Sequence, residues 1–136
     1  MAAIKNLQTL LASMEPILDS EEYVFCTFPE TTVADLLYLE PIGSFWEKEG
    51  LTLIVNKAIA GKHNIQFDST FALISLTIHS SLEAVGLTAA IANKLTSKNI
   101  STNVVAAYYH DHLFVPKDKA QEAMNALYEL QTESRD

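Results

Sequence analysis

The feature that most constrains this chain is the order of residue patterns between Phe71 and Leu130. Residues 71–78 alternate, and Ala72, Ile74, Leu76 and Ile78 are all apolar, so one face of a strand should meet helices. A hydroxyl-rich turn, His79-Ser80-Ser81, then leads past Gly86 into a small-residue helix that reaches Lys98. Asn99 suits a left-handed helix end, and Ile100 is the apolar residue expected just beyond it. Residues 103–109 and 111–115 read as two antiparallel strands. Pro116 ends the sheet, and Ala120, Ala123, Met124, Leu127 and Leu130 form the stripe of a last helix before a frayed tail. The order β-α-β-β-α is a ferredoxin-like βαββαβ unit without its final strand. The fold class is therefore α/β, an α+β sandwich of helices on a sheet.

The front half is less regular. Ile4, Leu7, Leu11 and Met14 recur at three- and four-residue spacing and predict a helix that Pro16 stops. Residues 22–28 alternate, with Val24, Cys26 and Phe28 on one face of a strand. Pro29, Pro41 and Gly43 make 29–43 a loop with room for a helical turn at 33–37. Phe45 and Trp46 precede the charged turn Glu47-Lys48-Glu49-Gly50, and residues 51–55 form a short strand buried on both faces. A brief helix from Asn56 to His63 and an extended piece at 65–67 complete an order α-β-β-α-β, the same unit lacking its first strand. The chain thus divides into two incomplete halves, 1–68 and 69–136. Two such units can complete each other within a chain or across a dimer, and a homo-oligomer, most simply a homodimer, is the expectation.

Charge and composition remove several function classes. Nine Lys and Arg stand against seventeen Asp and Glu, a net charge of −8, and the cations are scattered. A phosphate-tracking surface needs the opposite, so nucleic acid is not an expected partner. No stretch approaches the length of a membrane span, and Asn6, Gln8 and Ser13 interrupt the N-terminal apolar run. A cytoplasmic protein without a membrane partner is expected. The single cysteine, Cys26, lies in an alternating run and reads as a small buried thiol.

Two constellations could carry chemistry. In the first, Ser80 and Glu83 have the spacing of a capping box, which would start the helix there and leave Gly86 inside it for tight packing. If the helix starts nearer Gly86 instead, the serines lie in an open loop whose amides, at the positive end of the helix, can meet a small anion. On that reading a valine at Gly86 would block ligand approach and leave the chain folded. In the second, His110 and His112 project to one face of a strand, with His79 at the end of the preceding one. Imidazoles can ligate a metal or act as a base. No acid or cysteine completes a ligand spacing here, so neither a metal, a cofactor nor a catalytic residue is expected. The histidines then line the same sheet end as the serine turn and tune ligand binding. Tyr108, Tyr109, Phe45 and Trp46 are aromatic candidates for a ligand wall or an interface.

Val85-Gly86-Leu87 before the helix and Asn99-Ile100-Ser101 after it resemble the paired motifs of ACT domains, and residues 71–130 as a whole are similar to one. The run from Glu47 to Val55, EKEGLTLIV, further resembles small bacterial stand-alone ACT-like proteins, similar in turn to the tandem ACT modules of amino-acid sensors. The resemblance implies a regulatory protein, not an enzyme, that binds a small molecule, an amino acid by type. It further implies a ligand at an interface between two ACT-like units, with His79, Ser80, Ser81, Glu83, Val85, Gly86, Leu87, His110 and His112 around it. Its alternative is a structural module that binds nothing and serves in assembly.

Overall fold

Pro16, expected to stop the first helix, also opens the longest strand. In the computed structural model, which describes residue 3 and residues 6–135, helix α1 is Leu7–Ala12 and strand β1 is Pro16–Phe28. Proline lacks an N–H and is accepted at the first position of a strand, where no ladder bond depends on it. The expected strand at 22–28 is therefore extended toward the N-terminus by six residues whose sequence shows no alternation. Ile4 of the proposed helical stripe lies outside the described residues, whereas Leu10, Leu11 and Met14 are buried. Asn6 caps α1 by accepting the Thr9 N–H at 3.0 Å.

The chain forms two compact units, one of residues 20–71 and one that joins residues 1–19 to 72–136. In the first, a 3₁₀ segment at Val33–Leu39 follows β1, then β2 (Gly43–Glu47), β3 (Gly50–Asn56) and α2 (Lys57–Lys62). Its strands are all antiparallel, in the order β2-β3-β1. Val24, Cys26, Leu51, Leu53 and Val55 face one side and bury against Leu36, Leu39 and Ala60. Burial raises the Cys26 thiol above its ordinary pKa, which keeps it protonated and inert.

Two expectations for this half fail. Phe45 and Trp46 lie in a strand, β2, and residues 65–67 form none. Ile65 and Phe67 instead pack against the buried cluster as single side chains. The front half is thus β, turn, β, β, α, an element order that repeats that of the back half, and it does not lack its first strand.

The second unit carries β4 (Phe71–Leu76), α3 (Leu87–Ser97), β5 (Asn103–Ala106), β6 (Asp111–Pro116) and α4 (Ala120–Glu133). Its strands lie in the order β4-β6-β5. Ala72, Ile74 and Leu76 bury against Leu87, Ile91 and Leu95 of α3, Leu127 of α4 and Leu10 of α1. Asn99 is left-handed at φ 59°, and Ile100 is buried, as the sequence predicts. The C-terminal tail is not frayed as far as Arg135. Gln131, buried, accepts the Glu15 N–H at 3.2 Å, and the Arg135 guanidinium donates to the Ala12 carbonyl at 3.1 Å.

The β2–β3 hairpin depends on Gly50, whose φ is +150° and whose missing Cβ would lie 2.9 Å from Pro29 Cα. Both the angle and the backbone contact exclude a side chain. Gly50→Ala should lower stability by about 2 kcal/mol, read as a fall in the urea midpoint. An unchanged midpoint would show that this turn is not the one that closes the hairpin.

Candidate functional site

Three successive residues at the start of β6 each hold the end of β4 or the segment after it. His110 Nδ1–H donates to the Ile78 carbonyl at 3.1 Å. The Ser80 hydroxyl donates to Asp111 Oδ2 at 3.1 Å, with both residues buried. His112 Nδ1 and Ser75 Oγ share a hydrogen bond of 2.7 Å. A buried carboxylate requires such a partner, so the Ser80–Asp111 bond anchors the segment firmly. Asp111 is not singled out by the sequence, where it only opens the strand 111–115 and nothing local marks it as buried. Its signal is only its place between two histidines.

Beyond this anchor the loop is open. Ser81 Oγ accepts the Glu83 N–H at 3.1 Å and the Ser81 carbonyl accepts the Ala84 N–H at 3.0 Å, a tight polar turn. Helix α3 begins at Leu87 with Gly86 as its N-cap, in the left-handed region, and no side chain caps it. The capping box is therefore not formed: the Ser80 hydroxyl is committed to Asp111, and the helix starts six residues later than that box requires. Leu87 is buried and Val85 is exposed.

Gly86 has a cause of its own. Its φ is +97°, and a Cβ would stand 3.1 Å from Leu7 Cδ2. A valine there would be strained by the backbone angle and would push on the end of the Leu7 side chain, so it costs stability whether or not a ligand binds. The left-handed turn favours glycine on backbone grounds alone, and Leu7 packs closely against it.

The hairpin joining β5 and β6 closes with the Ala107 N–H donating to the His110 carbonyl at 3.0 Å, leaving Tyr108 and Tyr109 at its tip. They are 73% and 60% exposed. Two-residue hairpin tips favour Asn and Gly, so turn geometry does not account for two tyrosines. The rings of Tyr108 and Tyr109 are 5.0 Å apart, and the His79 ring lies 5.0 Å from that of Tyr109. The site thus brings together the His79 to Leu87 segment, His110 and His112, and adds Asp111 and the tyrosine tip. Among the described residues, no three His, Cys, Asp or Glu side chains converge as a metal would need. Phe45 and Trp46 belong to the other unit and not to this site.

The architecture is that of a ferredoxin-like protein built from paired β-α-β-β-α units, the second with an anchored loop between its first strand and first helix. Sequence profiles of the ACT domain match residues 2–72 and 68–129, and the chain belongs to the ACT domain family. ACT domains are typically regulatory modules that bind amino acids. A Vibrio cholerae protein of unknown function, suggested to be a transport protein, is 51% identical over 96% of this chain and 99% of its own, with a TM-score of 0.84. The ligand-free regulatory subunit of aspartate kinase from Thermus thermophilus shares the fold at 12% identity and a TM-score of 0.66, covering 87% of this chain and 97% of its own. Aspartokinase III of E. coli, solved with aspartate and ADP, does so at 10% identity and 0.63, over 85% of this chain and 32% of its own. No curated protein matches. No helix among the described residues is long and apolar enough to cross a membrane.

Two outcomes follow from the geometry. Gly86→Val should lower the melting temperature in ligand-free buffer, because β-branched residues resist positive φ; an unaltered melting temperature would show that Leu7 and the backbone adjust freely. His112 titrates below the ordinary histidine value, chiefly because burial disfavours its charge and secondarily because of His110, with Asp111 opposing. A depressed folded-state pKa means stability is full above the unfolded value near 6.5 and is lost as pH falls through the lower folded value. Melting curves from pH 8 to pH 5 should therefore show a loss that His112→Gln reduces. An equal loss in that variant would assign the effect to other groups.

Proposed function

We propose that this chain is a regulatory small-molecule-binding protein rather than an enzyme, that its ligand is an amino acid, and that it acts by changing its assembly or its contact with a partner protein in the cytoplasm. The observation that carries the reading is the start of α3, which no side chain caps and which follows a loop anchored from below by Ser80 and Asp111. The free amides at such a helix start suit the ligand's carboxylate. His79, Tyr108 and Tyr109 present rings to the rest of the molecule. Ser80 and His110, bonded within the protein, position the loop and His112 ties back to Ser75 on β4, while Ser81, Glu83, Val85 and Gly86 shape the rim beside the buried Leu87. Regulation then follows from differential affinity, since a ligand shifts an equilibrium only by the difference in its binding to the two states.

A screen of amino acids by melting temperature tests this. A ligand present at about a hundredfold over its Kd should add roughly 2.7 kcal/mol to stability, and Tyr109→Ala should diminish the shift while leaving the ligand-free melting temperature nearly unchanged. If no amino acid at millimolar concentration moves the melting temperature, the reading falls, and an assembly module without a ligand takes its place.

A further inference from the structure

Both ends of the loop between β4 and α3 touch one short segment, residues 7–15. At the far end of the loop Leu7 of α1 packs on Gly86, with 3.1 Å between Leu7 Cδ2 and the position a Cβ would take. At its root the Glu15 carbonyl accepts both the Thr77 N–H at 3.3 Å and the Thr77 hydroxyl at 2.8 Å. Thr77 is the first residue after β4 and stands three positions before Ser80. α1 itself has only six residues, too few for a helix to hold alone, so its shape depends on these contacts and on the burial of Leu10 and Leu11.

Glu15 is held in a conformation that its residue type resists. Its φ is +48°, in the left-handed region that asparagine tolerates and glutamate does not. Its polar groups are all engaged. Besides the carbonyl, its N–H donates to Gln131 Oε1 at 3.2 Å, and its carboxylate accepts from Gln131 Nε2 at 3.4 Å and lies 3.9 Å from the Arg135 guanidinium. Arg135 Nε also donates to the Ala12 carbonyl, and Gln8 donates to the Ser134 carbonyl at 3.3 Å. The end of α4 therefore grips the segment at Gln8, Ala12 and Glu15. A strained backbone persists only where its surroundings over-determine it, and such strain collects in elements that have two arrangements.

We propose that residues 7–15 are a strap that seats and releases as a unit about Glu15, and that the loop at residues 78–86 keeps its form only while the strap is seated. Release lets Glu15 relax from its left-handed angle, which offsets part of the cost of exposing Leu10 and Met14. It withdraws the Glu15 carbonyl from Thr77 and the Leu7 side chain from Gly86 together, so the root and the end of the loop slacken at once. The Ser80–Asp111 and His110–Ile78 bonds involve no strap residue and stay. The change is thus confined to the rim and the start of α3. The link to a ligand rests on the proposed amino-acid site: a ligand that fits the seated loop favours the seated strap, and the seated strap favours the ligand to the same extent. The link between strap and loop needs no ligand.

Hydrogen exchange of the whole chain, read amide by amide without ligand, tests this. Gln131→Leu keeps an apolar side chain on α4 and leaves the Glu15 N–H without its acceptor. It should speed exchange at Leu10, Thr77, Glu83, Ala84 and Ala90 together by ~10-fold, with exchange across β6 unchanged. Glu15→Asn, which suits the left-handed angle, should slow the same amides by about threefold. If Gln131→Leu does not fold, Arg135→Ala, at an exposed side chain, is judged by the same criteria. Exchange that rises in α1 alone, or equally throughout the chain, overturns the proposal. An amino acid that raises the melting temperature should slow the α1 amides along with those of the loop; one that leaves α1 unchanged overturns the link between ligand and strap. A screen without any such amino acid removes the ligand site, and the ligand-free exchange rates then decide the strap by themselves.

Discussion

The hydrogen bond between Ser80 and Asp111 is the interaction on which the candidate site depends. A carboxylate removed from water is costly unless something donates to it, and here the donor comes from the segment that leaves β4. That requirement fixes where the segment lies relative to the β5–β6 hairpin, and the bonds from His110 to the Ile78 carbonyl and from His112 to Ser75 hold the strand end that precedes it. With the loop fixed below, its outer residues and the tyrosine tip are free to face outward. A rigid base under an open rim is the arrangement that lets a loop recognise something without first being ordered by it.

A second constraint runs through the whole chain. Each half follows the order strand, helical segment, strand, strand, helix, and each lays its three strands in the same sequence, with the third between the first and the second. The halves differ in how well the first helical segment covers the sheet. In the back half α3 buries Leu87, Ile91 and Leu95. In the front half the 3₁₀ segment buries only Leu36 and Leu39. A 3₁₀ segment is short because its hydrogen bonds are poor and its side chains eclipse, and its limited reach leaves the apolar residues of β2 in view.

The first nineteen residues show how tertiary structure redistributes a chain that looks like a simple repeat. By sequence they open the front half, and the first ACT match includes them. In space they belong with residues 72–136, where Leu10, Leu11 and Met14 join the larger core and Gln131 satisfies the backbone of Glu15. Leu7 presses against Gly86 there, so the packing of the first helix helps to decide what the loop glycine can be.

Much of the back half was legible from residues alone, because its signals are local. The alternation of Ala72, Ile74 and Leu76, the left-handed Asn99 before Ile100, and the stripe through Ala123 and Leu127 are set by the periods of strand and helix. The resemblance to ACT domains rested on Val85-Gly86-Leu87 and Asn99-Ile100-Ser101, with the run from Glu47 to Val55 in the front half. β2 was hidden because Gly43 reads as a breaker and an edge strand needs no alternation, and the length of β1 was hidden because Pro16 suits a helix end and a strand start equally. The start of α3 was beyond reach for a different reason. Ser80 and Glu83 satisfy a local capping rule, and only the distant Asp111, thirty-one residues on, draws the serine away from it. Local periodicity thus determined which elements exist. The partners of buried polar groups, which lie far apart in sequence, decided where the loop begins and what it can present.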